Sequence, residues 1–291
     1  MMRTEQEMLN LITKIAEEDE RVRAVYMHGS CANSKIEKDD YADFDIVYVV
    51  TETGSFIKDT AWINNFGNIT FIFEGYQNQS KFFMREVNDL SRRCVWSMLL
   101  KDGNQIDLMI EIIDEAMNCN QIKNKPILIL LDKDGCLPEM LPYNDEDEYI
   151  KKPYEDEYTA CCTGFWWFLA TVAKGIARDQ LPYAKEQFYS IILMTLNRML
   201  NWYIGVQTNF SVSTGIHNKY YKKYLPADIY DLYTKIFSDS DYVNFWNAVF
   251  SACELFNKTA CNVGDYCGFT YNVQEENSMI NYLNEIKNSG K

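Results

Sequence analysis

The chain has only two histidines, His28 and His217, in 291 residues. That scarcity removes most imidazole-built zinc sites and the serine–histidine triads of hydrolases. Nine cysteines are present without a Cys-x-x-Cys pair; Cys161 and Cys162 are adjacent and the others scattered. This is the usage of buried thiols in a reducing compartment. Bases are outnumbered, 28 against 42 acids, for a net charge of −14. Such a chain lacks the basic footprint that nucleic-acid phosphates require, and its field favours a small cationic partner. The first seven residues hold no apolar leader core, and no apolar run approaches a bilayer span, 127–131 being strand-sized. The expectation is a cytoplasmic protein with no membrane or nucleic-acid partner. Neither Gly-x-x-x-x-Gly-Lys-Ser/Thr nor Gly-x-Gly-x-x-Gly occurs, so the familiar phosphate-binding loops cannot be invoked.

What is present begins with an apolar run, Val25-Tyr26-Met27, entering His28-Gly29-Ser30. After twelve intervening residues comes Asp43-Phe44-Asp45-Ile46, followed by Val47-Tyr48-Val49-Val50. Alternate side chains of a strand share a face, so Asp43 and Asp45 project together while Phe44 and Ile46 point to a core. A carboxylate pair on rigid backbone suits Mg²⁺, which takes oxygen ligands and keeps room for substrate phosphates. The Gly29-Ser30 turn lets backbone N–H groups approach a phosphate. A third acid, Asp107, lies in Gln105-Ile106-Asp107-Leu108-Met109-Ile110. The Asp102-Gly103 step before it signals a hairpin, which places Asp107 mid-strand between apolar neighbours. A metal shared with Asp43 and Asp45 would compensate a charge that is costly there. Glu111, on the same strand face, is the substitute candidate, though nearer the strand end and more easily solvated.

Size and pattern favour two domains, at 1–145 and 146–291. Thr4-x-x-Glu7 is a capping box for a first helix with Met8, Leu11, Ile12 and Ile15 on its apolar stripe. Strands are expected over 21–28, 44–50, 69–73 and in the hairpin with Asp107, and 127–131 reads as a buried strand. Residues 62–66 form a short helix or turn closed by Gly67. An acidic connector between Pro138 and Pro153 marks the boundary. Beyond it the pattern is helical: Tyr158, Cys162, Phe165, Leu169, Val172 and Ile176 make the buried face of a long helix. The next helix starts at Pro182 with Phe188, Ile191, Leu196, Met199 and Tyr203 inside, and three more follow over 228–237, 241–261 and 275–286. The fold class is therefore α+β, a mixed β-sheet with flanking helices followed by a C-terminal helical bundle. A second stripe on the long helix, Trp167, Thr171, Lys174 and Arg178, sets two like charges one turn apart. An anion between Lys174 and Arg178 would relieve their repulsion, and a triphosphate would serve.

The ordered set of Gly29-Ser30, Asp43-x-Asp45 and a later strand acid, Asp107, resembles the nucleotidyltransferase superfamily. That resemblance implies a nucleoside triphosphate and two Mg²⁺ ions bridging Asp43, Asp45 and Asp107, with Asp107 catalytic, and Gly29, Ser30, Lys174 and Arg178 toward the nucleotide. Longer stretches are similar to the aminoglycoside 6-adenylyltransferases, the streptomycin-modifying family. They include 62–69, Leu131-Asp132-Lys133-Asp134, Lys152-Pro153, Cys161-Cys162-x-x-Phe165-Trp166, Val172-Ala173-Lys174-Gly175, Asn201-Trp202-x-x-Gly205 and Phe210-Ser211-Val212-Ser213-x-Gly215. This resemblance implies transfer of AMP from ATP to the 6-hydroxyl of streptomycin with release of pyrophosphate. Acids and aromatics such as Trp166 or Trp167, with Glu111, are candidates for holding the cationic substrate. The chain departs from the family pattern at Cys31, where arginine is common, and at Ile216, where lysine is common; Lys219 is the nearest lysine to the second. The other readings are a nucleotidyltransferase for another small cation or a protein hydroxyl, and an ATP-binding relative without turnover. Monomer and homodimer are both open.

Overall fold

The computed structural model describes residues 2–33, 39–75, 89–117, 125–139 and 143–289. It divides into two compact units, Met1–Asp145 and Glu146–Lys291. Part of the loop after Ser30 and part of the connector before residue 143 lie outside the described residues.

In the first unit the opening helix α1 is Glu5–Glu18. Thr4 and Glu7 cap its first turn reciprocally, and Met8, Ile12 and Ala16 are buried. Six strands follow: β1 (Val22–His28), β2 (Phe44–Val50), β3 (Ile69–Glu74), β4 (Arg93–Leu100), β5 (Gln105–Ile112) and β6 (Ile127–Asp132). They form one sheet in the order β3-β4-β5-β2-β1-β6. Among the described residues only β2 and β5 run parallel and every other pair is antiparallel, so the sheet is mixed. Short helices α2 (Gly54–Lys58) and α3 (Ile113–Met117) and a 3₁₀ segment, Ala61–Phe66, fill the connections. The 3₁₀ segment ends at Gly67, whose φ of 116° is reserved for glycine.

Strand alternation splits the sheet into two unequal faces. Val25, Met27, Ile46, Tyr48, Trp96, Met98, Ile106 and Leu108 join α1 and the 3₁₀ segment in the main core. The opposite face carries a much smaller cluster, Ala24, Tyr26, Val47, Val49 and Ala116. Its remaining positions are free for polar work, and the candidate acids stand there. Strand β6 is not the buried strand expected from its apolar run. It is an edge strand, with Leu128 and Ile129 each 42% exposed, because only its β1 side is paired.

The second unit is helical: α4 (Glu155–Ala177), α5 (Leu181–Gln187), α6 (Leu193–Gln207), α7 (Tyr221–Tyr224), α8 (Ala227–Thr234), α9 (Tyr242–Cys267) and α10 (Val273–Asn288). Tyr158, Cys162, Phe165, Leu169, Val172 and Ile176 of α4 are all buried in one core. There Phe165 stacks on Phe256 of α9 at 3.8 Å between ring centroids. Contrary to expectation, α4 is 23 residues long and apolar enough to match a bilayer span in composition. Half of it, however, packs inside its own unit. Asp241 caps α9 by accepting from the Val243 and Asn244 N–H groups, and Gly268, at φ 79°, closes it. Between α5 and α6 the residues Phe188–Ile192 form a π-turn. The extra residue in that turn advances the helix phase, so Ile192 is buried where the uninterrupted pattern called for Ile191. None of the described cysteines forms a disulfide.

Candidate active site

Register places one residue from every strand in a single row on the thinly covered face. The row runs Phe73, Ser97, Asp107, Asp45, His28, Ile127 across β3, β4, β5, β2, β1 and β6. Asp45 and Asp107 are direct partners on the two parallel strands at the sheet centre. Adjacent strands lie about 4.8 Å apart, so the two carboxylates are near neighbours. Asp43 stands just before β2 with the same parity as Asp45, about 7 Å back along the chain.

Gly29 faces Asp45. Its φ is 76°, and a Cβ there would lie 2.2 Å from Asp45 Oδ2. Glycine is thus required both by conformation and by the closeness of the backbone to the carboxylate. Ser30 begins the 3₁₀ turn that follows, and Cys31 is buried.

Burial pushes the Asp45 carboxyl up to about 6, and the charges of Asp107 and Asp43 add to the rise. Asp43 is raised in the same direction by partial desolvation and by Asp107. Lys125, just before β6, draws Asp45 back down and, with burial, lowers His28. Asp43 and Asp45 form no ion pair among the described residues. A group of like charges held at some cost fits a divalent cation, and carboxylate oxygen is the donor Mg²⁺ prefers. Among the described residues no three such side chains are drawn into a finished ligand shell. Mg²⁺ normally completes its octahedron with water and substrate phosphate rather than with an all-protein cage.

Two expected residues have other duties. Glu111 is neither solvated nor available to a substrate. It is 1% exposed, accepts from the Tyr26 hydroxyl at 2.7 Å, and pairs with Arg93 at 2.8 Å. The reason is register, which sets Arg93 of β4 directly opposite Glu111. Trp166 is buried at 2%, with its indole N–H on the Tyr271 hydroxyl at 3.0 Å, and belongs to the helical core. Trp167, one residue on, is 70% exposed. Lys174 and Arg178 are exposed at the C-terminal end of α4, Lys174 roughly 25 Å along the helix from Glu157 and Arg178 at its C-cap. Ile216 is 75% exposed, and the Lys219 ammonium lies over the Tyr220 ring. Around them the backbone is strained: His217 and Asn218 adopt φ of 53° and 62°, beside Gly215 at 71°.

Sequence reasoning passed over His28 and Lys125 as site residues. His28 shares parity with the acids, which alternation along β1 would have shown. Lys125 carries no local signal, since only the pairing of β6 with β1 brings it near.

Similarity to known proteins extends over nearly the whole chain. Residues 2–286 match the model of the streptomycin adenylyltransferase family. Aminoglycoside 6-adenylyltransferases of Bacillus subtilis (strain 168) and Staphylococcus aureus are each 30% identical to this chain. The aligned parts cover 94% and 96% of this chain and 95% and 99% of those proteins. The Campylobacter jejuni protein of the same name is 28% identical, covering 97% of this chain and 95% of its own length. A crystal structure of an aminoglycoside 6-adenyltransferase from Bacillus subtilis is similar over 98% of this chain and 99% of that one, at 28% identity and a TM-score of 0.47. The chain is an enzyme of the nucleotidyl-transferring class. Within that class it belongs to the streptomycin adenylyltransferase family.

Proposed function

We propose that this chain transfers the AMP group of ATP to a hydroxyl of an aminoglycoside, the 6-hydroxyl of streptomycin, releasing pyrophosphate. The observation that carries the reading is the row across the sheet, where Asp45 and Asp107 are register partners and Asp43 follows on the same face. The names of the relatives supply the acceptor class. Asp43, Asp45 and Asp107 would hold magnesium, which when bound screens the triphosphate and lowers the pKa of a nearby hydroxyl.

The chain's own residues do the rest. Gly29 keeps backbone, not side chain, against Asp45, so the carboxylate stays aimed at the nucleotide. Asp107 accepts the proton of the attacking hydroxyl as that oxygen bonds to the α-phosphorus. The bond from the α-phosphorus to the bridging oxygen breaks on the opposite side, and pyrophosphate leaves with the electron pair. A cation must meet that departing charge, and Lys174 and Arg178 are candidates for it. The acidic balance of the chain, −14 overall, draws a cationic acceptor from solution. In this reading the enzyme acts in the cytoplasm.

The test is incubation with magnesium, ATP and streptomycin, followed by mass spectrometry of the drug. One added AMP, mapped to the streptidine ring, supports the proposal. Modification of a different aminoglycoside alone moves the substrate. Binding of ATP without transfer to any hydroxylated cation removes the activity.

A further inference from the structure

The helical unit contains, within itself, a cavity of about 1170 Å³, ample for a nucleotide-sized ligand. Its floor is a polar chain set into an apolar core. The Tyr221 hydroxyl lies 2.9 Å from the Asn197 carbonyl and 3.0 Å from Asn201 Oδ1, and Thr214 Oγ1 lies 3.1 Å from the same Asn201 oxygen. The Asn197 side-chain oxygen is buried at the cavity's edge without a hydrogen-bond partner. Such a floor is expensive unless something completes it.

Charge narrows the choice of occupant. Three cations line the cavity, Lys151, Lys152 and Arg198, against two carboxylates, Glu148 and Glu157. Glu157 is occupied at 2.9 Å by the Tyr154 N–H at the start of α4. Lys151 is held by the Glu146 carbonyl at 2.8 Å. Arg198 is exposed in α6 and has no carboxylate partner among the described residues. In a chain of net charge −14, this is a local surplus of positive charge facing open space. A hydroxylated cation would meet that charge with its own. A phosphate chain would neutralise it, and guanidinium binds phosphate oxygens in pairs. Trp202 and Tyr189 offer aromatic wall, and an orphan amide oxygen accepts an N–H such as a purine's exocyclic amine supplies.

We infer that this cavity holds the nucleotide by its phosphates, with Arg198 as the principal contact. The inference rests on the nucleotidyl-transfer reading and deepens it. It also competes with the stripe at the far end of α4. Lys174 lies roughly 25 Å along the helix from Glu157 at the cavity, so one triphosphate cannot be held at both places.

The experiment is calorimetric titration of the full chain with inorganic tripolyphosphate, then ATP, in EDTA so that the carboxylate row is not engaged. Arg198→Met should weaken tripolyphosphate at least tenfold, Arg198→Lys should retain part of the affinity, and Lys235→Met, at an exposed position outside the cavity lining, should stay within twofold of the parent. Unchanged thermal melting of Arg198→Met shows that the loss is not unfolding, and recovery in Arg198→Lys secures the point if the methionine variant melts early. Absence of tripolyphosphate binding, loss in Lys174→Met instead, or selective loss of streptomycin binding in Arg198→Met would each overturn the inference. Because EDTA titrations require no turnover, Arg198-dependent binding can survive even if adenylyl transfer is never detected.

Discussion

Replacing Asp45 with asparagine should make the metal-free protein more stable at neutral pH while removing its activity. The reason lies in the row across the sheet, where Asp45 sits half-buried against Asp107 with Asp43 close by. Burial, then those two charges, lift its carboxyl from 3.8 to about 6. A carboxylate raised in the native state binds more protons there than in the unfolded chain between those two values. Its ionisation therefore costs stability: the cost is absent below about pH 4, grows as pH climbs toward about 6 and is complete above it. Two pKa units correspond to about 3 kcal/mol, which solvent screening at a half-buried site cuts to about 1–2 kcal/mol. Asparagine removes the charge and nearly preserves the shape. In EDTA, thermal melting across pH 4 to 8 should show the variant gaining ~2–4 °C per kcal/mol at the upper end and nothing at the lower. Saturating magnesium should reverse the ranking, because a cation that binds only the native parent stabilises it. No gain at pH 8, or an equal gain at pH 4 and pH 8, would refute the electrostatic account of this site.

Three further outcomes follow from the same geometry. Asp107→Asn should leave melting and circular dichroism close to the parent while transfer falls on the order of 10²–10⁴-fold in a single-turnover assay; a parental rate rejects its role as base. Gly29→Ala forces a Cβ to within 2.2 Å of Asp45 Oδ2 at a φ of 76°. About 1–2 kcal/mol of stability should go, and activity should fall further than stability explains, as parallel denaturation and rate measurements would show. Glu111→Ala removes the carboxylate shared by the Tyr26 hydroxyl and the partly buried Arg93 guanidinium, leaving Arg93 the more distant Glu115 at 3.9 Å, and should cost about 3 kcal/mol in urea unfolding, with the Michaelis constant for ATP of the folded fraction unchanged.

Alternation along a strand was enough to foresee that Asp43 and Asp45 share a face and that Asp107 lies mid-strand, because that property is local. The capping box at Thr4 and Glu7 and the buried stripe from Tyr158 to Ile176 were legible for the same reason. Pairing is different. Nothing near Glu111 announces Arg93, eighteen residues earlier, so a structural ion pair looked like a solvated acid. Nothing near Ile127 says that its strand has a neighbour on one side only. Trp166 and Trp167 differ by one step on a helix, and only the partner Tyr271 decides which is core. The π-turn at Phe188–Ile192 shifted the expected buried isoleucine by one place, since a constant helical period cannot anticipate an inserted residue. Lys125 and the cavity at Arg198 depend on contacts between distant segments and were invisible for that reason.

The parity of the six-strand row limits what kinds of change the enzyme can tolerate. Deleting one residue between the Asp102–Gly103 turn and Asp107 would rotate that acid through the sheet into the place of Ile106, opposite Phe44 in the apolar core, and put Leu108 among the carboxylates. Lengthening the connections beyond the strand ends would leave every member of the row where it stands. Insertions and losses compatible with catalysis should thus collect in the loops, where they can reshape the mouth of the site for a different acceptor without disturbing the chemistry beneath it.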